Sequence, residues 1–335
     1  MTAARRVRRT PTFGSPLAAL LVRFLETKRA AGYHYRDEAR ALGTLDRFLV
    51  PVLAPGDPVL TLDIARAFVA KRGVESETTR AHRVTLVREV CRFLALEDTR
   101  TAVVPPRWLG IHPRAFVPRV LTHEEGRRFL QACGRLGTRP SSPIRDTVLG
   151  TALVLLYLTG LRAGEALRLT EADVDVGDAV VRVRDTKFGK SRLVPIAADV
   201  TIRVRECQRV VAKHFRARAP DAPFFPAPSG HAYSISGLRT AFHQVLAVAE
   251  IPRRRAGRAL RLHDLRHSFA VLRLLLWYRQ QANLGVTLPA LATYLGHVGI
   301  ASSQRYLQLT EDLVAEITRR HDARFGHLIT DGGDR

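Results

Sequence analysis

Four prolines between residues 105 and 118 divide the sequence into two parts. Proline fixes its own φ angle, lacks an N–H group and keeps the preceding residue out of the helical region. We therefore predict an extended linker over residues 105–119. A chain of 335 residues is long enough for one domain on each side, over residues 1–104 and 120–335. The four prolines are Pro105, Pro106, Pro113 and Pro118.

Apolar residues in the first part recur every three or four positions, which is the spacing of a buried helix face. Ser15 followed by Pro16 predicts the start of the first helix, with Ser15 as its N-cap, and Gly32 predicts its end. Thr61 is the expected N-cap of a third helix, and a fourth is predicted over residues 78–96. The first part is thus expected to be a small four-helix domain. The apolar residues of its first two helices are Leu17, Leu20, Leu21, Phe24, Leu25, Leu42, Leu45, Phe48 and Leu49.

The second part is expected to be helical with a small β-hairpin, which makes the whole fold mainly α. Thr122 and Glu125 have the spacing of a capping box at a helix start. Strand-like runs at 179–184 and 191–196 flank a turn at Phe188 and Gly189, a hairpin signal. The segments 146–158, 201–218, 236–249, 263–280, 288–295 and 302–320 are predicted to be helical, and 252–261 to be a basic loop.

The charge balance predicts a polyanionic partner. Fifty-three Lys and Arg residues against 31 Asp and Glu give a net charge of +22, spread along both parts. Nucleic acid is the commonest polyanion that proteins meet. A ribosomal protein would show the same balance, so charge alone leaves that alternative open.

The cysteines and the longest apolar run limit the setting of the protein. Cys91, Cys133 and Cys207 show no C-x-x-C spacing, which argues against a disulfide framework or a cysteine zinc site and suits a reducing compartment. The apolar run from Val148 to Leu161 is shorter than the ~20 residues of a membrane-spanning helix. We expect no membrane association and a cytoplasmic location.

Two short motifs place basic residues at turns. Arg162 lies between two glycines in TGLRAGE, where its guanidinium could donate to a phosphate; an ordinary ion pair with Glu165 is the alternative. Lys187 and Lys190 flank the predicted hairpin tip, where a lysine could reach a bound ligand or simply serve solubility.

Two further motifs follow in the second half. His263 and Arg266 in HDLRH are three residues apart and share one helix face. His297 ends the motif LGH, and Tyr306 follows nine residues later. Each motif alone is weak evidence, because a single helical His or Tyr is more often a packing residue.

The ordered set suits cleavage of a phosphodiester. It holds two Arg, one Lys, two His and one Tyr, and it includes neither a pair of carboxylates nor a cluster of metal ligands. Arginines stabilise charge on the non-bridging oxygens, a Tyr hydroxyl can form a covalent phosphotyrosyl intermediate, and a Lys can protonate the departing 5′ oxygen.

In residue order and spacing the sequence resembles the tyrosine recombinase (phage-type integrase) family over roughly residues 120–320. The resemblance implies that Lys187, rather than Lys190, is the general acid, that Tyr306 is the nucleophile and that Glu165 supports Arg162. It also implies a catalytic domain at 120–335 and an N-terminal core-binding (SAM-like) domain at 1–104, which together clamp DNA. The matching residues are Arg162 in TGLRAGEAL, Lys187 on the hairpin, His263 and Arg266 in HDLRH, His297 in LGH, and Tyr306.

The same resemblance implies the partners and excludes cofactors. A site-specific recombinase of this kind acts on double-stranded DNA as a tetramer, and it needs neither a metal nor ATP because the phosphotyrosyl link conserves the phosphodiester energy. The long stretch between Arg266 and His297 is similar to transposon-borne recombinases encoded in tandem sets, so sister recombinases are possible partners.

Three alternative functions fit parts of the same sequence. His263, Asp264 and His267 superficially resemble a zinc-protease helix, but Arg266 would place a positive charge beside the metal. A catalytically silent DNA-binding regulator would keep the fold and lose reactive residues, yet all six are present. A type IB-like DNA topoisomerase shares the chemistry and is left open.

Overall fold

The computed structural model describes residues 11–33, 35–106, 108–110, 118–184 and 191–296. The chain divides into two compact units, residues 1–116 and residues 117–335. Within the described residues, no helix is both long enough and apolar enough to cross a membrane.

Among the described residues of the N-terminal unit there are four helices, as predicted. They are α1 (Ala18–Ala30), α2 (Arg36–Leu49), α3 (Leu62–Val69) and α4 (Glu77–Leu94), with a 3₁₀ turn at Trp108–Gly110. Helix α4 packs against each of the other three. The core between them is apolar and includes Phe24 and Phe68, which are almost fully buried. Thr61 caps α3, because its hydroxyl accepts the backbone N–H of Ile64 at 3.3 Å.

The predicted N-cap of α1 is wrong. The helix begins at Ala18 with Leu17 at the N-cap, and Ser15 makes no side-chain cap. The carboxylate of Asp46 on α2 instead accepts the backbone N–H groups of Gly14 and Ser15, at 2.8 and 2.9 Å. This long-range contact holds the entry segment in a non-helical turn. The predicted end is correct, since Gly32 has a φ of +86° and its N–H donates to the carbonyl of Arg29 at 3.0 Å.

The C-terminal unit combines helices with two small sheets. Its helices are α5 (His123–Ala132), α6 (Arg145–Thr159), α7 (Ala163–Ala166), α8 (Ala198–His214), α9 (Ile235–Val248), α10 (Asp264–Arg279) and α11 (Leu284–Leu295). Its strands are β1 (Val174–Asp175), β2 (Val180–Val183), β3 (Arg192–Pro195), β4 (Arg254–Arg255) and β5 (Arg258–Ala259). The mainly helical fold class is therefore confirmed.

Helix α6 lies at the centre of this unit and packs against α8, α9 and α10. It is apolar on all sides, which is the pattern of a helix surrounded by protein. Strands β1, β2 and β3 form an antiparallel sheet in that order, with Val181 opposite Val194. Both valines are fully buried, so one face of the sheet joins the core. The capping box at Thr122 and Glu125 is present at the start of α5.

Three element predictions differ clearly from the structure. The helix predicted over 201–218 is α8 and spans Ala198–His214. Helix α11 begins at Leu284, four residues before the predicted start, and its N-cap Asn283 accepts the N–H of Gly285 at 2.9 Å. The prediction placed Pro289 in the first turn, where proline is common, whereas it lies inside the helix. The predicted basic loop at 252–261 contains the two-stranded hairpin β4–β5. Ala256 and Gly257 form its turn, both with positive φ angles, and alanine is not a residue that signals such a turn.

The three cysteines are free and buried. Burial raises the pKa of each thiol to about 12, so none is a reactive thiolate at neutral pH.

Candidate active site

The turn after α6 presents Arg162. The helix ends at Gly160, whose φ of +65° is the left-handed conformation of a helix C-cap. A Cβ atom there would lie 2.6 Å from Phe269 and 2.8 Å from Leu295, so glycine is required both by conformation and by close packing. The chain then extends through Leu161, and Arg162 is the N-cap of α7.

A buried carboxylate holds Arg162. Glu165 on α7 accepts the backbone N–H of Arg162 at 2.9 Å and its Nη1 at 2.7 Å. The Glu165 side chain is 3% exposed, whereas that of Arg162 is 36% exposed. The ion pair weighed as an alternative is therefore present, and it leaves part of the guanidinium facing solvent. Nη2 of Arg162 also donates to the carbonyl of Gly296 at 3.3 Å.

Arg192 on β3 is a second partner of Glu165 that the sequence did not suggest. Its Nη1 and Nη2 donate to the two carboxylate oxygens at 3.2 and 2.9 Å, and its Nε donates to the carbonyl of Tyr294 at 2.8 Å. Burial alone would raise the pKa of Glu165, but the hydrogen bonds and charges of Arg192 and Arg162 outweigh it and lower the pKa to about 2. Glu165 is thus a permanent anion between two arginines.

Arg266 on α10 is buried at the junction of three helices. It is 2% exposed; its Nη1 donates to the carbonyl of Gly160 at 2.8 Å, and its Nη2 to the carbonyl of Leu295 at 2.6 Å. These oxygens lie at the C-terminal ends of α6 and α11, where helix carbonyls lack helical partners and the dipole is negative. Arg162 and Arg266 therefore bind adjacent carbonyls, those of Gly296 and Leu295.

His263 is the N-cap of α10 and lies in the field of these arginines. Its ring keeps an exposed surface but is surrounded by protein on its other sides. The resulting loss of water, followed by the charges of Arg266, Arg162 and Arg261, lowers its pKa to about 4. His263 is therefore neutral at pH 7. Its ring contacts that of His267 edge-on, with centroids 4.8 Å apart.

The structure thus brings together three of the six predicted site residues: Arg162, His263 and Arg266. The other three, Lys187, His297 and Tyr306, lie outside the described residues, as does Lys190. Arg192, the residue that sequence reasoning missed, follows residues 185–190 in the sequence, with Ser191 between them.

A basic cleft opens beside His263. It has a volume of about 720 Å³ and lies between α9 and the β4–β5 hairpin. Leu161 and Ala163 on either side of Arg162 contribute to its wall. The cleft concentrates positive charge next to the site, which favours a polyanion. The positive charge comes from four arginines, and the two histidines of the lining have lowered pKa values; these residues are Arg239, Arg253, Arg254, Arg261, His243 and His263.

Asp264, one of the three residues of the zinc alternative, has another partner. Asp264 is fully buried, and its Oδ2 accepts the backbone N–H of Arg261 at 2.7 Å. Across the described part of the chain, no group of three or more His, Cys, Asp or Glu side chains could hold a metal ion.

Comparison with known proteins relates this arrangement to one family. The model of the phage integrase family matches residues 119–312. The chain is 34% identical over 315 residues to y4rE of Sinorhizobium fredii (strain NBRC 101917 / NGR234), named as an inferred integrase/recombinase, with 92% of this chain and 96% of that protein covered. It is 30% identical over 328 residues to tyrosine recombinase XerC of Rhodospirillum centenum (strain ATCC 51521 / SW), with 91% and 87% covered.

A solved structure shares the fold. The Tn1549 transposon integrase, in complex with transposon right end DNA, superposes with a TM-score of 0.64 at 18% identity, covering 90% of this chain and 98% of that chain. The family model spans more than half of the chain, and the two sequence relatives extend along nearly all of it. The chain therefore belongs to the phage integrase family of tyrosine recombinases.

Proposed function

We propose that this protein is a site-specific DNA recombinase that cuts and rejoins duplex DNA through a covalent 3′-phosphotyrosyl intermediate. The observation that carries the proposal is the convergence of Arg162, His263 and Arg266 beside a basic cleft. Two fixed cations and a neutral imidazole form an arrangement suited to a phosphodiester anion. Family membership supports the same reaction.

The two arginines stabilise charge on the scissile phosphate. Both guanidinium groups are held by backbone carbonyls before DNA arrives, so little reorganisation is needed when charge develops in the transition state. Arg162 is the more exposed of the two and offers the more accessible donors. Removal of one such preorganised donor costs about 2.7–4 kcal/mol of transition-state stabilisation in a comparable oxyanion site.

His263 acts as a neutral hydrogen-bonding group. With a pKa of about 4 in the protein without DNA, its imidazole can donate from one nitrogen and accept at the other. A phosphodiester anion beside it would raise that pKa and favour donation to a non-bridging oxygen.

The remaining roles fall on residues assigned from the sequence motifs. The Tyr306 oxygen attacks phosphorus as its hydroxyl proton passes to solvent, the bond from phosphorus to the 5′ oxygen breaks, and that oxygen takes a proton from Lys187. Lys190 contacts backbone phosphate. His297 assists at the same phosphate. The reaction reverses when a 5′ hydroxyl of a partner strand attacks the phosphotyrosyl bond, so the energy of the original bond is retained.

Strand exchange between two duplexes requires four active sites, so we propose a tetramer on double-stranded DNA. Residues 1–104 act as a core-binding domain and residues 120–335 as the catalytic domain, joined by the linker 105–119. The DNA complex of the similarly folded Tn1549 integrase supports DNA as the ligand. Sister recombinases are the remaining proposed protein partners.

The test is a covalent trap. A duplex nicked just beyond the cleavage site loses its short 5′-hydroxyl fragment and leaves protein attached to the 3′ phosphate. Wild-type protein should give an adduct stable on a denaturing gel, and Tyr306→Phe should bind the DNA with similar affinity and give none. Binding without an adduct by wild-type protein would favour the silent regulator. An adduct with relaxation of supercoiled DNA by the monomer, and without exchange between duplexes, would favour the topoisomerase.

A further inference from the structure

Arg192 contacts both Glu165 and the end of α11, as Arg162 also does, but it reaches them from β3. Its three donor nitrogens are all used, two on Glu165 and one on the carbonyl of Tyr294. Its side chain is 11% exposed, against 36% for Arg162. Because its charge is paired with the carboxylate of Glu165 and its third nitrogen is bound to Tyr294, Arg192 is given no contact with DNA in the proposed function. Its effect on a reaction at the phosphate must act through the groups that it holds.

The packing around Arg192 is tight at the end of α11. Gly296 has a φ of +67°, and a Cβ atom there would lie 2.9 Å from Nη1 of Arg192. A larger residue at this position would force the guanidinium of Arg192 to shift. The position of Arg192 and the path of the chain at Gly296 therefore depend on each other.

Arg192 also lies where three important segments meet. It begins β3, directly after the segment that carries Lys187. Tyr294 and Gly296, which it contacts, directly precede His297. Through Glu165 it reaches Arg162. Arg192 is thus linked to Arg162 through Glu165 and contacts the residue next to His297, and it lies five residues from Lys187 along the chain.

We propose that Arg192 is a positioning residue that fixes Arg162 through Glu165 and holds the C-terminal end of α11 in place. The proposal rests on the proposed function, because its effect is read in DNA cleavage. Arg192 touches no substrate in this account; it keeps a buried carboxylate charged and oriented so that Arg162 stays in place.

The balance of charge at Glu165 supports this role. The groups that face its carboxylate are Arg162 from the turn before α7, Arg192 from β3 and, at longer range, His263 from α10. Without Arg192, burial would be opposed by Arg162 alone, and the pKa of Glu165 would rise. A protonated Glu165 would lose its ionic hold on Arg162, so activity would fall as the pH is lowered.

The experiment measures single-turnover cleavage of the nicked duplex between pH 5 and 9, together with the DNA affinity. The variants of the full chain are Arg192→Met, Arg192→Lys and the matched control Arg182→Met, which removes an exposed arginine from β2 of the same sheet. Arg192→Met should cleave about tenfold to a hundredfold more slowly at pH 7.5, the scale of a small misplacement in a site, with DNA affinity changed less than about threefold. The cleavage rate of Arg192→Met should also fall toward low pH, and this acidic limb of the pH profile should be absent from wild type and Arg182→Met.

A second substitution shows whether the limb belongs to Glu165. In Arg192→Met with Glu165→Gln, nothing remains to titrate at this position, so the pH profile should become flat again. Amide exchange near the end of α11 should be faster in Arg192→Met than in Arg182→Met. If Arg192→Met unfolds, Arg192→Lys serves instead. It keeps a charge without the planar fork, so it should show a smaller loss in rate and an acidic limb that wild type lacks, at a lower pH than full removal of the charge would give.

The outcomes separate this proposal from the proposed function. Wild-type protein that makes no adduct, or an adduct that persists in Tyr306→Phe, contradicts the proposed function. Two results with a normally active wild type would overturn the role of Arg192 alone. One is a pH profile of the cleavage rate for Arg192→Met or Arg192→Lys that runs parallel to that of wild type. The other is an acidic fall in rate that persists after Glu165→Gln. Unchanged amide exchange near the end of α11 in Arg192→Met would show that Arg192 does not hold this helix end in place.

Discussion

The guanidinium of Arg266 donates to the carbonyl oxygen of Gly160 at 2.8 Å and so ties α10 to the end of α6. Gly160 in turn has no room for a side chain, because Phe269 on the same α10 lies against it. The turn that presents Arg162 is therefore built on Arg266. Of the two arginines that we propose to bind the phosphate, Arg266 thus also serves as a structural support for Arg162.

This relationship predicts different costs for the two arginines. Arg266→Ala leaves buried carbonyls at Gly160 and Leu295 without these hydrogen bonds, and it should lower the free energy of unfolding by about 1–3 kcal/mol. Arg162→Ala should lower it by less, because Glu165 keeps Arg192 as its partner. Both should slow cleavage by about 10²–10³-fold. Urea denaturation and single-turnover cleavage measure the two effects. Equal stability of the two variants would contradict the supporting role of Arg266.

The packing at Gly160 can be separated from its backbone conformation. Gly160 and Gly230 both have positive φ angles, +65° and +81°, but a Cβ atom at Gly230 would meet nothing within 4 Å. Gly230→Ala should therefore cost only the left-handed strain, about 1–2 kcal/mol. Gly160→Ala adds a clash with Phe269 and Leu295 and should cost about 1–3 kcal/mol more. Urea denaturation compares them, and similar losses for both variants would refute the packing argument.

The depressed pKa of His263 predicts a loss of stability in acid. The histidine takes up a proton near pH 6.5 in the unfolded chain but only near pH 4 in the folded protein. Below pH 6.5 the unfolded state therefore binds more protons, and the free energy of unfolding falls as the pH is lowered from 6.5 to 4. His263→Gln should show a shallower decline over this range. A steeper or unchanged decline would show that the imidazole is not held neutral by its surroundings.

DNA binding through the basic cleft predicts a specific salt dependence. The logarithm of the affinity should fall linearly with the logarithm of the salt concentration, with a slope of about −0.9 for each phosphate neutralised. Arg254→Ala removes one cleft cation and should reduce the slope by about 0.9. The control is Arg209→Ala on α8, an exposed arginine that is paired with Glu206 and does not line the cleft. A slope that changes equally in both variants would remove the cleft from the binding surface.

The sequence predicted the site better than it predicted the contacts that hold it. Arg162 and Glu165 could be paired because they lie three residues apart, and His263 and Arg266 because they share a helix turn. Arg192 could not be found in this way, because its partners Glu165 and Tyr294 are distant in sequence and an arginine in a short strand is usually solvated. The same reason explains Ser15, whose backbone is bound by the distant Asp46. Local periodicity carries information on local structure, and long-range ion pairs leave no local signal.

We propose that Tyr306 forms the covalent bond to DNA, and mapping the modified residue in the trapped adduct identifies the nucleophile directly. Protein trapped on a nicked duplex is digested with protease and nuclease, and the modified peptide is sequenced by mass spectrometry. We expect a single nucleotide-bearing residue, Tyr306, linked to a 3′ phosphate, and no modified peptide from Tyr306→Phe. A nucleotide on another residue such as Tyr294 would contradict the assignment of Tyr306 as the nucleophile, and a bond to a 5′ phosphate would contradict the proposed 3′-phosphotyrosyl intermediate.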